Sequence, residues 1–369
     1  MKDAGGKDDR LEKYRRAIDQ LDDEILRKIS ERASFAKEVG KIKEEEAGAE
    51  PLNFYRPERE AQILRRLIQQ NGGPLTNQAV SEIFREIISA CLAHESPMQI
   101  AFLGPEGTFT QEATLKHFGH SVAPVSKETI EDVFKAVASG NSDYGVVPLE
   151  NSTEGAVNNT LDNFLTTKLK ICGEIKIKIS HCFLTSYELE GNVREIYAHQ
   201  QTLAQCRNWL NSNYPGIPRI PATSNAEAAR FASESKDVGA VASRIAGEIY
   251  GLRNAVEGIE DQVDNTTRFV VLGRESVPPS GSDKTTILVS TRNEPGALFG
   301  ILEPFQLHGI SLTSVETRPS RDGIWSYVFF IDFEGHVNDS LVEKVLDEVK
   351  VRSLNIRLLG SYPKAVIYE

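Results

Sequence analysis

IAFLGPEGTFTQEA, residues 100–113, passes from an apolar run through a glycine-bearing turn into a helix start that Thr108 or Thr110 is placed to cap. Passages of this kind recur from about Met98 to Val277, where the β-rich runs QIAFLG, YGVVPLE, the long alternating ICGEIKIKISHCFLTS, EIYAH, DVGAVAS and RFVVLG alternate with helical stretches. The alternation predicts an α/β architecture with parallel strands, long enough for two lobes with a cleft between them. The first turn lacks the GxGxxG spacing that binds a dinucleotide, which disfavours a dehydrogenase.

The flanking blocks differ. Up to about Pro97 the chain is helical. Between Leu11 and Lys43 there is no proline and one glycine, and Leu11, Tyr14, Ile18, Leu21, Ile25, Phe35, Val39 and Ile42 recur at helical spacing. A second helix opens at Pro57 and stops at Asn71-Gly72-Gly73-Pro74, and a third runs from about Thr76 to Glu95. One long and two short helices cannot bury the long apolar seam within one chain, so an intertwined homodimer is expected. After the linker-like SVPPSGSD, residues 276–283, the order strand, helix, strand, strand, helix, strand is the ferredoxin-like α+β arrangement. The chain therefore divides into an all-α bundle over residues 1–97, a two-lobed α/β domain over 98–277 and an α+β domain over 278–369.

Composition narrows the function. The 369 residues are 40% hydrophobic and 26% charged with a net charge of -11, which argues against general nucleic-acid binding. An anionic ligand would need a local cluster of cations against that field. The N-terminal MKDAGGKDDRLEKYRR has no apolar run and predicts no signal peptide; nothing approaches the roughly 20 apolar residues of a membrane span. Cys91, Cys172, Cys182 and Cys206 lack metal-ligand spacing, so reduced thiols in a cytoplasmic protein with no metal are expected. His199 and Cys206 lie seven apart in a helical stretch with no activating partner for a cysteine hydrolase.

Charges interrupt the helical seam. Counting sevens from Leu11 gives Ile18, Ile25, Arg32 and Val39, and Lys43 returns to nearly the face of Arg32 about 16 Å away. Arg59 and Glu60 precede Ile63 and Leu64 on the second helix, and Glu95 continues the Phe84, Ile88, Cys91 seam of the third. A single seam cation usually snorkels outward. Three cations and two carboxyls from three helices favour a site for a small polyanion.

Residues 11 to 95 resemble the all-helical class of chorismate mutase, through YRRAIDQLDDEIL, ER, VGKIK and REAQIL. The resemblance implies rearrangement of chorismate to prephenate by conformational restraint and charge stabilisation. It assigns the substrate carboxylates to Arg32 and to Arg15 from a partner subunit, the ether oxygen to Lys43, the site's edge to Arg59 and the substrate hydroxyl to Glu60. Arg56 stands where an acidic residue is common, and Glu95 where many members have glutamine. A carboxylate cannot donate a hydrogen bond, so Glu95 is expected to work protonated and the mutase to favour mildly acidic pH.

VVPLENSTEGAVNN places Glu150, Asn151, Ser152 and Thr153 just beyond a strand's carboxyl end, where open α/β sheets bind ligands, although such clusters also make plain turns. DNTTRFVVLG, residues 264–273, sets two hydroxyls and a guanidinium against an apolar strand; by composition alone it reads as an ordinary edge. With YAHQQTLAQC and SNAEAAR, these motifs resemble prephenate dehydratase over the whole block. The resemblance implies loss of carbon dioxide and hydroxide from prephenate to give phenylpyruvate. Thr267 would sit at the leaving hydroxyl, Arg268 would supply structural or anionic contacts, and Thr266, Asn151, Ser152, Thr153 and Gln205 would line the cleft. Ala222 and Ala198 replace Glu and Ser found in some members. A Thr hydroxyl is a weak acid, so Thr267 is expected to orient as much as to donate.

The last block resembles an ACT domain, a small-molecule sensor, through EPGALFGIL (294–302) and VETRPSR (315–321). The resemblance implies feedback inhibition by L-phenylalanine, with backbone amides of Gly296, Ala297 and Leu298 at a helix start receiving the carboxylate, Glu316 the amine, and Arg318 within the second motif. Together the resemblances imply an enzyme acting on chorismate and then prephenate without cofactor, as a homodimer or higher oligomer. The alternatives are a phenylalanine-binding regulator with inactive catalytic folds, and dehydration of arogenate.

Overall fold

The structure is a computed structural model that describes residues 4–47, 55–94, 97–187, 193–262, 264–292, 294–319 and 327–366. Helix α1 (Ala4–Ala47) has 44 residues and, at about 1.5 Å per residue, spans roughly 66 Å. It outruns the expected Leu11–Lys43 at both ends. Its seam residues Leu11, Tyr14, Ile18, Leu21 and Ile25 are 47–63% exposed in the single chain. Helix α2 (Pro57–Gln70) opens on its proline, and α3 (Asn77–Ala93) starts where Thr76 Oγ1 accepts the Ala79 amide at 3.1 Å.

In the middle domain, β1 (Gln99–Leu103), β2 (Ala123–Lys127), β3 (Tyr144–Asn151), β4 (Gly155–Ala156) and β5 (Lys170–Lys178) belong to one lobe, with α4 (Phe109–Phe118), α5 (Ile130–Ala138) and α6 (Asn158–Phe164). Thr108, not Thr110, caps α4 by accepting the Gln111 amide; Thr110 is buried inside the helix. The second lobe holds β6 (Cys182–Thr185), β7 (Glu195–His199), β8 (Arg219–Ala222), β9 (Val238–Ala242) and β10 (Arg253–Glu257), with α7 (Gln200–Gln205), α8 (Arg207–Asn213), α9 (Asn225–Ser233) and α10 (Arg244–Ile249). The chain then returns through β11 (Thr266–Gly273) to the first lobe, giving sheet orders β2-β1-β3-β11-β5 and β10-β6-β9-β7-β8.

Two expectations are corrected here. The sheets are mixed, not parallel: β1 runs parallel to β2 and β3, but β11 is antiparallel to both β3 and β5. The cause is connectivity, because β5 leaves the first lobe for the second and β11 comes back beside it. ICGEIKIKISHCFLTS is also not one strand; it breaks at Ile179–His181, where the chain crosses between lobes.

The third domain is β12 (Asp283–Ser290), α11 (Ala297–Leu307), β13 (Leu312–Pro319), β14 (Tyr327–Glu334), α12 (Ser340–Arg352) and β15 (Asn355–Pro363), in the antiparallel order β13-β14-β12-β15. One sheet face packs Ile287 and Val289 against Ile301, Phe305 and Val345. The other shares a core with the first lobe, where Val328, Phe330 and Tyr362 meet Phe164, Ile171 and Leu272. At Gly360 a Cβ would stand 2.2 Å from the Ile171 carbonyl oxygen, so only glycine permits this approach. The 276–283 stretch is pinned: the Arg65 guanidinium of α2 donates to Ser280 Oγ at 3.0 Å and to the Ser282 carbonyl at 2.8 Å.

Candidate active sites

The topology brings Asn151 at the end of β3 into register with Thr267 at the start of β11, at the junction of the two lobes. The Asn151 amide donates to Thr267 Oγ1 and to Asn265 Oδ1, both at 2.8 Å, and its oxygen accepts the backbone amides of Thr153 at 2.9 Å and Glu154 at 3.1 Å. Both ends of the Asn151 side chain are thus committed, which fixes its rotamer and aims its amide at Thr267 Oγ1. Thr153 Oγ1 reaches Asn265 Oδ1 at 3.4 Å. Ser152 clasps Thr266 by its amide, which donates to the Thr266 carbonyl, and by its hydroxyl, which accepts the Thr266 amide, each at 2.9 Å. Ser152 and Thr266 therefore continue the strand pairing through their own polar groups. Gln205, at the end of α7 in the other lobe, donates from Nε2 to Glu154 Oε1 at 3.3 Å and so spans the cleft.

Arg268 makes structural contacts away from the cleft network. Strand alternation turns consecutive residues to opposite faces, so Thr267 meets the cleft network while Arg268 enters the junction with the third domain. Its guanidinium lies 3.0 Å from Glu174 Oε2, 2.5 Å from Asp332 Oδ2 and 2.9 Å from the Tyr362 hydroxyl, and Lys284 Nζ donates to Glu174 at 2.7 Å. Burial alone would raise the Glu174 carboxyl, but Arg268 and Lys284 hold it below the usual carboxylate range. Sequence reading missed Glu174, Asp332 and Lys284, whose charges in strand patterns give no sign that they meet.

In the helical domain Arg32 and Lys43 are half-buried on α1, whereas Arg15 and Arg59 are exposed; Arg15 lies 4.0 Å from Glu12. Glu60 is flanked by a residue the seam analysis passed over: Arg85 of α3, whose Nε is 3.5 Å from Glu60 Oε1 and whose Nη1 donates to the Lys116 carbonyl at 2.7 Å. Burial raises the Glu60 carboxyl, opposed by the charges of Arg85 and Arg32. Tyr55 enters the apolar core of the first lobe beside Glu60 and Arg85, its hydroxyl 2.7 Å from His117 Nε2. Glu95 lies outside the described residues.

The two sensor motifs meet at one end of the strands of the third sheet: Ser290, before the Gly296 turn, and Arg318 are both in register with Val328. Gly296 holds φ +83 at the start of α11, and the Ala297 amide already donates to the Glu294 carbonyl at 3.2 Å, which takes one of the three amides expected to face a carboxylate. Leu298 is exposed. Arg318 is not directed to a free pocket; it pairs with Asp162 of α6 at 2.7 and 2.9 Å and with Asn158 at 2.9 Å. Glu316 lines the cavity between the third sheet and the first lobe with Glu150, Arg268 and Asp332, and burial followed by those two acids raises its pKa. Burial also pushes the Cys206 thiol up to about 12, which removes it as a nucleophile.

No helix of the described residues is long and apolar enough to cross a membrane. Three family models match the chain: chorismate mutase type II over residues 14–96, prephenate dehydratase over 100–277 and the ACT domain over 285–351. Over 361 residues it is 50% identical to a bifunctional chorismate mutase/prephenate dehydratase of Pseudomonas aeruginosa, covering 97% of this chain and 99% of that one. A protein of the same description from Aquifex aeolicus is 45% identical over 363 residues, with 97% and 99% covered. The crystal structure of prephenate dehydratase from Arthrobacter aurescens in complex with L-Phe aligns with TM-score 0.67 at 32% identity, over 73% of this chain and 93% of that one.

Proposed function

We propose, from the premise that the chain belongs to the family of bifunctional chorismate mutase/prephenate dehydratases, that its two reactions run in series under control of the third domain. The chain rearranges chorismate to prephenate and converts prephenate to phenylpyruvate. In the first step Arg32, Lys43, Arg59 and Glu60, with Arg15 of a partner subunit and Glu95, fold the substrate and stabilise charge on the breaking ether oxygen. The exposed apolar stripe of α1 supports the intertwined homodimer that this requires.

In the second step the ring carboxylate leaves as carbon dioxide. Its bonding electrons enter the ring, the carbon–oxygen bond at the opposite carbon breaks, and the departing hydroxide takes a proton to become water. The observation that carries this reading is the Asn151 to Thr267 hydrogen bond of 2.8 Å. Because Thr267 Oγ1 accepts from Asn151, its own proton is available to the leaving hydroxyl, with Thr153 and Gln205 at the cleft and Ser152, Thr266 and Arg268 holding β11. L-phenylalanine is the effector, bound where the Gly296–Leu298 turn and the Glu316–Arg318 segment meet at one end of the third sheet's strands. The four buried, unpaired thiols suit the cytoplasm.

The test is to incubate the purified protein with chorismate alone and follow prephenate and phenylpyruvate, with and without phenylalanine. Phenylpyruvate formed without added cofactor and suppressed by phenylalanine is the expected result. Prephenate accumulating alone would remove the second assignment, and no turnover would remove both.

A further inference from the structure

His181 lies in the crossover between β5 and β6 and is 2% exposed. Its backbone is fixed on both sides: its amide donates to Glu260 Oε2 at 2.8 Å, and its carbonyl accepts the Ile259 amide at 3.1 Å. The Phe109 ring meets the imidazole edge-on, 5.6 Å between centroids. Imidazole Nε2 is 3.0 Å from Gln205 Oε1. The amide orientation decides the tautomer. Gln205 Nε2 donates to Glu154, so its oxygen faces the ring, and His181 Nε2 must carry the proton. Nδ1 is then bare, and among the described residues this buried nitrogen has no hydrogen-bond partner. Buried polar atoms are normally paired, so an unpaired one at an active-site hinge calls for a use of the rest of the ring. Burial lowers the pKa of His181 against the opposing effects of Gln205 and Glu260, which keeps the ring a neutral one-way donor.

We propose that His181 is a positioning residue of the dehydratase, whose Nε2–H locks the Gln205 amide so that its NH2 reaches across the cleft to Glu154. The proposal rests on reading Gln205 and Glu154 as part of the dehydratase site. The bonds form one continuous path, His181 to Gln205 to Glu154, then through the Glu154 amide to Asn151 and on to Thr267. Without the imidazole donor the amide is free to turn, its oxygen then faces the Glu154 carboxylate, and the bond between the lobes is lost. Glu154 sits on the same turn as Asn151, so release at one end loosens the group that orients Thr267.

The test compares His181→Leu, His181→Gln, Gln205→Leu and the His181→Leu/Gln205→Leu double variant in the full-length chain, with mutase rate and thermal unfolding as controls of folding. His181→Leu should lower dehydratase kcat by about 10- to 100-fold, as loss of an orienting partner does, with KM changed by no more than about threefold. His181→Gln, whose terminal NH2 can take the place of Nε2–H, should recover most of the rate. The double variant should be no slower than Gln205→Leu, because the two act through one bond. Full activity in His181→Leu, failure of His181→Gln to recover, or additive losses would overturn the proposal. Full activity in Gln205→Leu would instead overturn the reading of the cleft on which it rests. If His181→Leu unfolds, His181→Asn, polar but too short to reach Gln205, takes its place with the same expected loss.

Discussion

Replacing Asp332 with alanine tests whether the charge cluster joining the second and third domains is a closed electrostatic unit. Two cations, Arg268 and Lys284, face two carboxylates, Glu174 and Asp332, and all four side chains are no more than 8% exposed. Asp332 supplies the contact to Arg268 at 2.5 Å and accepts the Thr286 hydroxyl at 2.7 Å. Its removal leaves two buried cations with Glu174 as the one buried carboxylate and the more exposed Glu150 3.8 Å from Arg268, and breaking such a buried pair costs about 3–5 kcal/mol. At about 2–4 °C per kcal/mol, the transition of the dehydratase and sensor unit should fall by roughly 6–20 °C, read by calorimetry with the helical domain followed separately. Adding Arg268→Met should restore most of the loss, because it removes the stranded charge. Glu174 carries the pH dependence. Its carboxyl is depressed in the fold, so its contribution is present above the unfolded value of about 4.3 and is lost as pH falls through the lower folded value, which places the acid lability below about pH 4. A loss under about 1 kcal/mol in Asp332→Ala, the range of exposed ion pairs, would refute the reasoning.

Thr267→Ala should cut phenylpyruvate formation by at least about 100-fold and leave the mutase rate alone, measured with chorismate and prephenate as separate substrates; retained dehydration would remove Thr267 from the chemistry. Glu95→Gln should flatten the fall in mutase rate expected as pH rises, because an amide donates to the ether oxygen in either range, and an unchanged pH profile would contradict a protonated Glu95. Burial pushes the thiols of Cys172, Cys182 and Cys206 up to about 12, so an alkylating reagent near pH 8 should modify them only after denaturation. Rapid labelling of the folded chain at any of the three would show that its site opens.

What the sequence made legible was local. The βαββαβ order of the third domain followed from apolar runs and helix starts, and the helix breaks at Pro57 and Asn71-Gly72-Gly73-Pro74 from residues with fixed backbone preferences. The mixed sheet was not legible, because β11 pairs with β3 and β5 across more than 80 intervening residues and no local pattern reports strand direction. ICGEIKIKISHCFLTS hid its break because Ile179 and Ser180 continue the apolar–polar alternation of the strand before them. Arg268 was expected to make structural or anionic contacts, but which ones was not legible, because its partners Glu174 and Tyr362 each lie 94 residues away. His181 stood in an apolar run, where a lone histidine looks like core. The role proposed for it appears only when His181 and Glu154 are seen to bracket Gln205.

The positions of Glu316 and Arg318 tie the third domain to the first lobe. Glu316, expected to receive the effector's amine, faces the cavity that also holds Glu150, Arg268 and Asp332, and Arg318 is engaged by Asp162 and Asn158 of the first lobe. A cationic amine at Glu316 would relieve the crowding of three acids in one cavity, so its binding and the packing of this junction cannot be independent. Glu150 immediately precedes Asn151 on β3, and Arg268 immediately follows Thr267 on β11, so the residues that face the sensor and those that face the leaving hydroxyl alternate along the same two strands. A displacement of either strand large enough to repack the sensor face must also move the Asn151–Thr267 pair on the other. Should the Asn151–Thr267 pair carry the dehydration, its control needs no separate relay, because the strand pair that holds it is also the surface on which the third domain rests.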